Sequence, residues 1–185
     1  VRLSLLLLAP VALVWSTHSD YLAVKRKFDQ IAQDRMKPGA RVSLTPQELN
    51  AYVEQEVKRA APDGVRQPKV ELGSGTATGS ALIDFAKVRT AQGNPPGWLM
   101  SRLLSGERPV TVTARIESKE GKARVDVQRV EISGVPIEGT VLDYLIENYV
   151  RDRYPQAKIG QPFELGHNME RVEVRPGGVN IHIAR

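Results

Sequence analysis

Three features of the chain predict an α+β fold built on a strongly curved antiparallel sheet. Two long segments, around residues 46–60 and 137–154, repeat apolar side chains at steps of three and four, the period of helices with one buried face. Several runs from residue 65 onward alternate apolar and polar residues between Gly- and Pro-containing turns, as antiparallel strands do. In the longest of them the alternation slips by one residue near Gln128-Arg129, which predicts a β-bulge and hence a bent strand. The expected domain therefore holds a long helix, a second helix in its C-terminal half and a terminal β-hairpin around the curved sheet.

Size and composition suit one such domain. The 185 residues are 41% apolar and 25% charged, enough to bury a core without disulfides or metal. The net charge of +5 is spread along the chain with no basic run interleaved with aromatics, so no nucleic-acid partner is expected. There is no cysteine, which excludes thiol chemistry, structural disulfides and acylation at a lipobox.

Arg2 precedes an apolar block, residues 3–15, broken by Ser4 and Pro10, which reads as the core of an export signal. As a helix it would span roughly 20 Å against a hydrocarbon core of ~30 Å. Val14-Trp15-Ser16 is only an approximate cleavage site, so residues 1–19 are read as a signal peptide or an uncleaved membrane anchor. The expected location is the periplasm or cell envelope. Tyr21, Val24, Phe28, Ile31, Ala32 and Met36 then mark an amphipathic helix stopped by Pro38-Gly39. Residues 20–41 are read as a spacer packing on the domain of residues 42–185, or as a stalk continuous with an uncleaved leader.

The next helix has the best specified start in the chain. Thr45 suits the N-cap, Pro46 the first helical position, and Glu48 completes a capping box, with Leu44 and Leu49 at staple spacing. Its stripe is Leu49, Tyr52, Val53, Val57 and Ala60, and Pro62-Asp63-Gly64 stops it. Residues 65–72 read as a strand whose Pro68 requires a sheet edge or a bulge. Residues 76–85 alternate, with Ala77, Gly79, Ala81, Ile83 and Phe85 on one side. That side starts small and ends large, and its small residues leave room for a ligand or for close helix packing.

A loop over residues 89–97 leads to a short apolar helix containing Trp98, Leu99, Arg102 and Leu103, read as a rim, lid or membrane contact, or else as a core plug. Residues 110–117 and 123–133 form a hairpin turning at residues 119–122, with Val110, Val112, Ala114 and Ile116 facing Val125 and Val127. The second helix carries Ile137, Val141, Leu142, Leu145, Ile146, Tyr149 and Val150. Strands at residues 163–165, 169–175 and 179–183 close the chain, the last two joined by Arg175-Pro176-Gly177-Gly178 and wet on one face.

Catalytic spacings are missing. Gly73-Ser74-Gly75 with Gly79 has the wrong interval for a dinucleotide loop, and no G-K-[ST] or G-x-S-x-G follows. His18, His167 and His182 have no metal-ligand spacing, while Glu48, Asp84, Glu138 and Asp143 suit caps and solvent faces. No cofactor, metal site or enzymatic activity is expected.

The run from Val42 through Leu44-Thr45-Pro46-Gln47-Glu48-Leu49-Asn50, followed by a helix, by Val70-Glu71-Leu72 with the small residues up to Phe85, and by the hairpin and second helix, resembles the bacterial LmeA-like phospholipid-binding proteins. These are similar to the tubular lipid-binding group, and the resemblance implies a curved sheet that wraps a long helix and shelters acyl chains. Combined with the residue patterns, it implies a lipid or other acyl-chain ligand in a groove. One wall would be Ala77, Gly79, Ala81, Ile83, Phe85, Val112, Ala114, Val125 and Val127 of the sheet. The other would be Leu49, Val53, Val57, Leu142, Leu145 and Ile146 of the helices. Trp98, Leu99, Leu103 and Arg102 would form a rim touching the membrane surface, with Arg89, Arg102 and Arg108 available to anionic headgroups. The alternative is a non-enzymatic envelope interaction or assembly module with a filled core. Oligomeric state has no signature in the sequence.

Overall fold

The computed structural model describes residues 11–61, 63–91, 106–147 and 159–185. In chain order the elements are α1 (Val11–Ala32), β1 (Arg41–Leu44), α2 (Pro46–Ala60), β2 (Val65–Leu72), β3 (Thr76–Ile83), α3 (Phe85–Ala91), β4 (Arg108–Lys119), β5 (Lys122–Ile132), β6 (Val135–Pro136), α4 (Gly139–Leu145), β7 (Phe163–Glu164), β8 (Met169–Arg175) and β9 (Gly178–Ile183). They make a mixed α+β fold with two open antiparallel sheets. The smaller has the order β1-β9-β8; the larger runs β2-β3-β4-β5-β6, with β7 also paired to β5.

The dry core lies between α1 and the smaller sheet. Val24 of α1 is fully buried and meets Ile31, Val42, Leu44, Ile181 and Ile183, while Phe28, Tyr52 and Val172 pack at its margin. The helix stops at Ala32, before the expected Pro38-Gly39, because Asp34 takes a left-handed φ of +52°. Met36 reaches the core from the turn that follows. Among the described residues no helix is long and apolar enough to cross a membrane.

The start of α2 forms as its sequence dictates. The Thr45 hydroxyl accepts a hydrogen bond from the Glu48 amide at 3.2 Å, and the Glu48 carboxylate accepts one from the Thr45 amide at 2.9 Å. The same carboxylate takes Lys27 of α1 at 2.6 Å, and the Lys27 ammonium also donates to the Ser43 carbonyl of β1 at 2.8 Å. Tyr52 stacks on Tyr21 with ring centres 6.0 Å apart and meets the edge of Phe28 at 4.9 Å, which sets α2 against α1. At its other side α2 reaches the larger sheet, where the Asn50 amide donates to the Val70 carbonyl at 2.9 Å and accepts from the Val70 amide at 2.7 Å.

In the larger sheet β2 is an edge strand, and its register shifts between Arg66 and Lys69, so Pro68 sits where it removes no ladder bond. The β4–β5 hairpin turns through Glu120 and Gly121 at φ of +52° and +77°, the geometry that suits twisted strands. Thr113 pairs with Arg129 and Ala114 with Val127, so Gln128 is the extra residue of the expected bulge.

Two expectations need correcting. The strand expected over residues 76–85 ends at Ile83; Asp84 is buried and its carboxylate accepts the Lys87 amide at 3.1 Å, capping α3. Phe85 is thus the first residue of a helix, buried and off the sheet face, and residues 89–91 belong to that helix and not to a loop. The terminal hairpin β8–β9 pairs with β1, a four-residue strand that runs into the start of α2 and was not expected as a strand. Of the second helix, Tyr149 and Val150 lie outside the described residues, as do Trp98, Leu99, Arg102 and Leu103.

The two sheets are joined by side chain and glycine. Ser118 of β4 donates to the Val172 carbonyl at 2.6 Å and accepts from the Val172 amide at 2.7 Å. The Gly75 amide donates to the Val174 carbonyl at 3.0 Å, while its own carbonyl accepts from the Ile116 amide at 2.8 Å.

Burial pushes the Glu48 carboxyl up, but the Lys27 ammonium and the Thr45 amide outweigh it and hold the group below its ordinary value of 4.5. A depressed folded-state value stabilises the fold above the unfolded value, and that contribution is lost as pH falls through the folded one. Glu48→Gln is therefore expected to lower stability at neutral pH by about 1–2 kcal/mol and to flatten the loss of stability on acidification, read from urea unfolding across the acid range.

Candidate functional site

Register alone builds an amphipathic sheet from β2 to β5. Val70, Gly79, Val112 and Val130 lie in one cross-strand row, and Leu72, Ala77, Ala114 and Val127 in another. Ala81, Val110 and Ile132 add a third row, and Ile116 with Val125 continues the same face. Because side chains alternate, the intervening rows fall on the opposite face: Glu71, Thr78, Thr113 and Arg129 in one, Lys69, Ser80, Thr111 and Glu131 in the next. That second face is polar and laced with local pairs, among them Thr78–Thr113 at 3.0 Å, Arg129–Glu131 at 2.6 Å and Lys69–Glu71 at 2.6 Å.

The bulge at Gln128 is what makes the apolar face continuous. Without the extra residue, Val125 and Val127 would fall on the polar side if Val130 and Ile132 stayed on the apolar one. The sheet residues expected to line a groove, Ala77, Gly79, Ala81, Ile83, Val112, Ala114, Val125 and Val127, are thus brought together. All of them are partly buried, in contrast with the dry core around Val24. Arg108, opposite Ile83, stands at the end of the face.

The helix residues are placed less centrally. Leu49, Val53 and Val57 are partly buried on α2, which packs against α1 and the edge strand β2 and does not lie across β3 to β5. Leu142, Leu145 and Ile146 are partly buried at α4, which follows β6 on the other side of the sheet, while Val141 is exposed. In the chain α4 follows β6, the edge strand opposite β2, on which α2 packs.

Among the described residues nothing lies within 4 Å of a Cβ built at Gly79, although this glycine lies in the interior of β3 with neighbours on both sides. No helix among the described residues rests on these small side chains at that position. Gly64 is the opposite case, since a Cβ there would lie 2.5 Å from Cγ2 of Val88 and 2.9 Å from its amide nitrogen. Three open clefts of about 520, 670 and 440 Å³ border β8 and β9, and none of these three includes a residue of the expected groove.

Sequence reasoning omitted Val70, Leu72, Val110, Val130 and Ile132 from the groove set, though they share the face; their alternation was visible, but their cross-strand partners were not. It also passed over the polar face of the smaller sheet, where Asn180 is buried and accepts from Ser43 at 2.7 Å and from Arg41 at 3.1 Å. Among the described residues no group of three or more His, Cys, Asp and Glu is placed to hold a metal ion. No family model, curated protein or solved structure matches the chain.

Two glycine substitutions separate open space from close packing. Gly79→Val should leave stability unchanged or raise it by up to about 1 kcal/mol, since a β-branched side chain suits the strand and displaces nothing. Gly64→Ala should cost about 1–3 kcal/mol because Val88 and its backbone must shift. Paired urea unfolding curves read both.

Proposed function

We propose that this chain is an exported cell-envelope protein that binds lipid acyl chains on the apolar face of its larger sheet. The observation that carries the reading is that no described residue fills the space above Gly79, at the middle of an apolar face spanning four strands. In this reading the sheet curves about the acyl chains, α2 stands as one wall through Leu49, Val53 and Val57, and α4 contributes Leu142, Leu145 and Ile146 at the other side. The apolar block over residues 3–15 supports export, and Arg108 at the end of the face offers an anionic headgroup a cation.

The energetics suit a site with few polar contacts. A buried chain of about fourteen carbons gains on the order of 11 kcal/mol at ~0.8 kcal/mol per methylene, before the cost of ordering it. Such a ligand needs shape and apolar area more than directed hydrogen bonds, in keeping with a face whose side chains are Val, Ile, Leu, Ala and Gly.

Native mass spectrometry of gently purified protein should show lipid-sized adducts, and a fluorescent fatty acyl probe should bind saturably. Gly79→Phe, which fills the open space without touching the core around Val24, should remain folded and weaken probe binding by about tenfold or more, the equivalent of ~1.4 kcal/mol. Absence of both adducts and probe uptake in the wild-type protein, or undiminished uptake by the folded Gly79→Phe variant, would overturn the assignment.

A further inference from the structure

The polar face of the smaller sheet has an arrangement that its fold does not require. On three adjacent strands, Arg41 of β1 stands opposite His182 of β9, and His182 stands opposite Arg171 of β8. Directly opposed side chains lie about 5 Å apart at Cβ, so the two guanidinium groups flank the imidazole closely. This row is basic from end to end. The next row, Ser43, Asn180 and Glu173, supplies one carboxylate, but Arg175 already holds it at 2.6 Å. Arg41 uses its Nε on the Asn180 carbonyl oxygen, and neither Arg41 nor Arg171 forms an ion pair among the described residues.

Two independent observations single out the same spot. The register of β8 shifts between Met169 and Arg171, so a bulge at Glu170 brings Arg171 opposite His182; bulges commonly re-aim a side chain at a site. Nε2 of His182 is buried with no hydrogen-bond partner, and the nearest carboxylate oxygen, on Glu173, is 3.8 Å away, beyond bonding distance. A buried polar atom left unmatched is costly unless something absent from the isolated chain completes it. Arg171 and His182 also line an open cleft of about 670 Å³ together with Arg185, Glu170 and Gly39, so a small anion has access.

We infer that the row Arg41, His182 and Arg171 is a binding site for a phosphate-class anion, either a free phosphate monoester or the phosphate of a lipid headgroup. Two guanidinium forks on the outer strands can each give paired hydrogen bonds to phosphate oxygens, and the imidazole between them supplies a further donor. Asn180 positions the first fork by holding Nε of Arg41, leaving its terminal nitrogens for the ligand. The site is independent of the acyl-chain reading, because it lies on the other sheet and uses none of the residues of the apolar face.

The test uses the full chain at low ionic strength, where arginine-phosphate attraction is least screened. Calorimetric titration with inorganic phosphate and with glycerol phosphate is run beside co-sedimentation with phosphatidylcholine vesicles, with and without phosphatidylglycerol. Saturable phosphate binding that weakens about tenfold or more in Arg171→Gln and in Arg41→Gln, with a shift of the His182 ring signals by NMR, is the expected result. Arg171→Gln keeps the test sound if loss of the Arg41–Asn180 bond disturbs the fold, and circular dichroism checks both. Binding of free phosphate without vesicle binding assigns a soluble ligand; preference for phosphatidylglycerol vesicles that Arg171→Gln abolishes assigns a headgroup. Arg115→Gln, which removes an equal charge from the larger sheet, should bind like wild type. No saturable binding of either phosphate and no vesicle preference would overturn the site, as would equal weakening by Arg115→Gln.

Discussion

The carboxylate of Glu48 is where the geometry of the molecule is settled. It closes the capping box that starts α2, and it receives the Lys27 ammonium of α1, which in turn holds the Ser43 carbonyl of β1. Three segments are tied by one charge-assisted cluster, partly shielded from water, beside the aromatic packing of Tyr52 on Tyr21 and Phe28. Once β1 is held there, Val42 and Leu44 face Val24 and Ile31 of α1, and β9 and β8 add to β1 to complete the dry core. The direction of α2 then carries Asn50 to the edge of the larger sheet.

Two side chains do at the sheet margins what a backbone strand would otherwise do. Asn50 matches both the amide and the carbonyl of Val70 at the edge of β2, and Ser118 matches both groups of Val172 at the edge of β8. Each closes a template for strand addition at one residue while stopping the ladder from continuing. Gly75, at φ of +71°, splices the two sheets by bonding to Val174 on one side and Ile116 on the other. The division into two sheets follows from these joints: the smaller one packs its apolar side on α1, and the larger one is left with an apolar face that α1 and α2 do not cover.

What could be read in advance depended on whether the signal was local. The box at Thr45 and Glu48, the stripe of α1, the turn at Glu120-Gly121 and the bulge at Gln128 all announce themselves within a few residues, and each formed. Pro68 was legible because a missing amide admits few positions in a sheet. The strand β1 was not, since four residues running into an N-cap look like part of the cap and their partner is β9, near the far end of the chain. Asp84 carried the signal for α3, a cap followed by Phe85-Ala86-Lys87-Val88, but Phe85 also continued the alternation of β3 and the longer pattern prevailed. For the candidate site, the apolar parity of β3, β4 and β5 was readable, whereas the placement of α2 at one edge of the sheet rests on Asn50 and Val70, a contact that no periodicity encodes.

Gly79 weighs most in deciding what the larger sheet is for. Glycine in the interior of a central strand forfeits up to about 1 kcal/mol of stability relative to a β-branched residue, so its presence calls for a reason. A left-handed backbone is not that reason, since the φ of Gly79 is not positive, and among the described residues no segment comes within 4 Å of its missing Cβ. Ala77, Ala81 and Ala114 repeat the choice of small over large around it on the same face. Where a local preference is set aside without visible gain to the fold, a functional account is called for, and the proposed binding of an apolar ligand is one that uses the space. The smaller sheet shows a different imbalance, two arginines without ion-pair partners among the described residues on either side of an imidazole whose Nε2 is buried and unmatched, which motivates the proposed anion there.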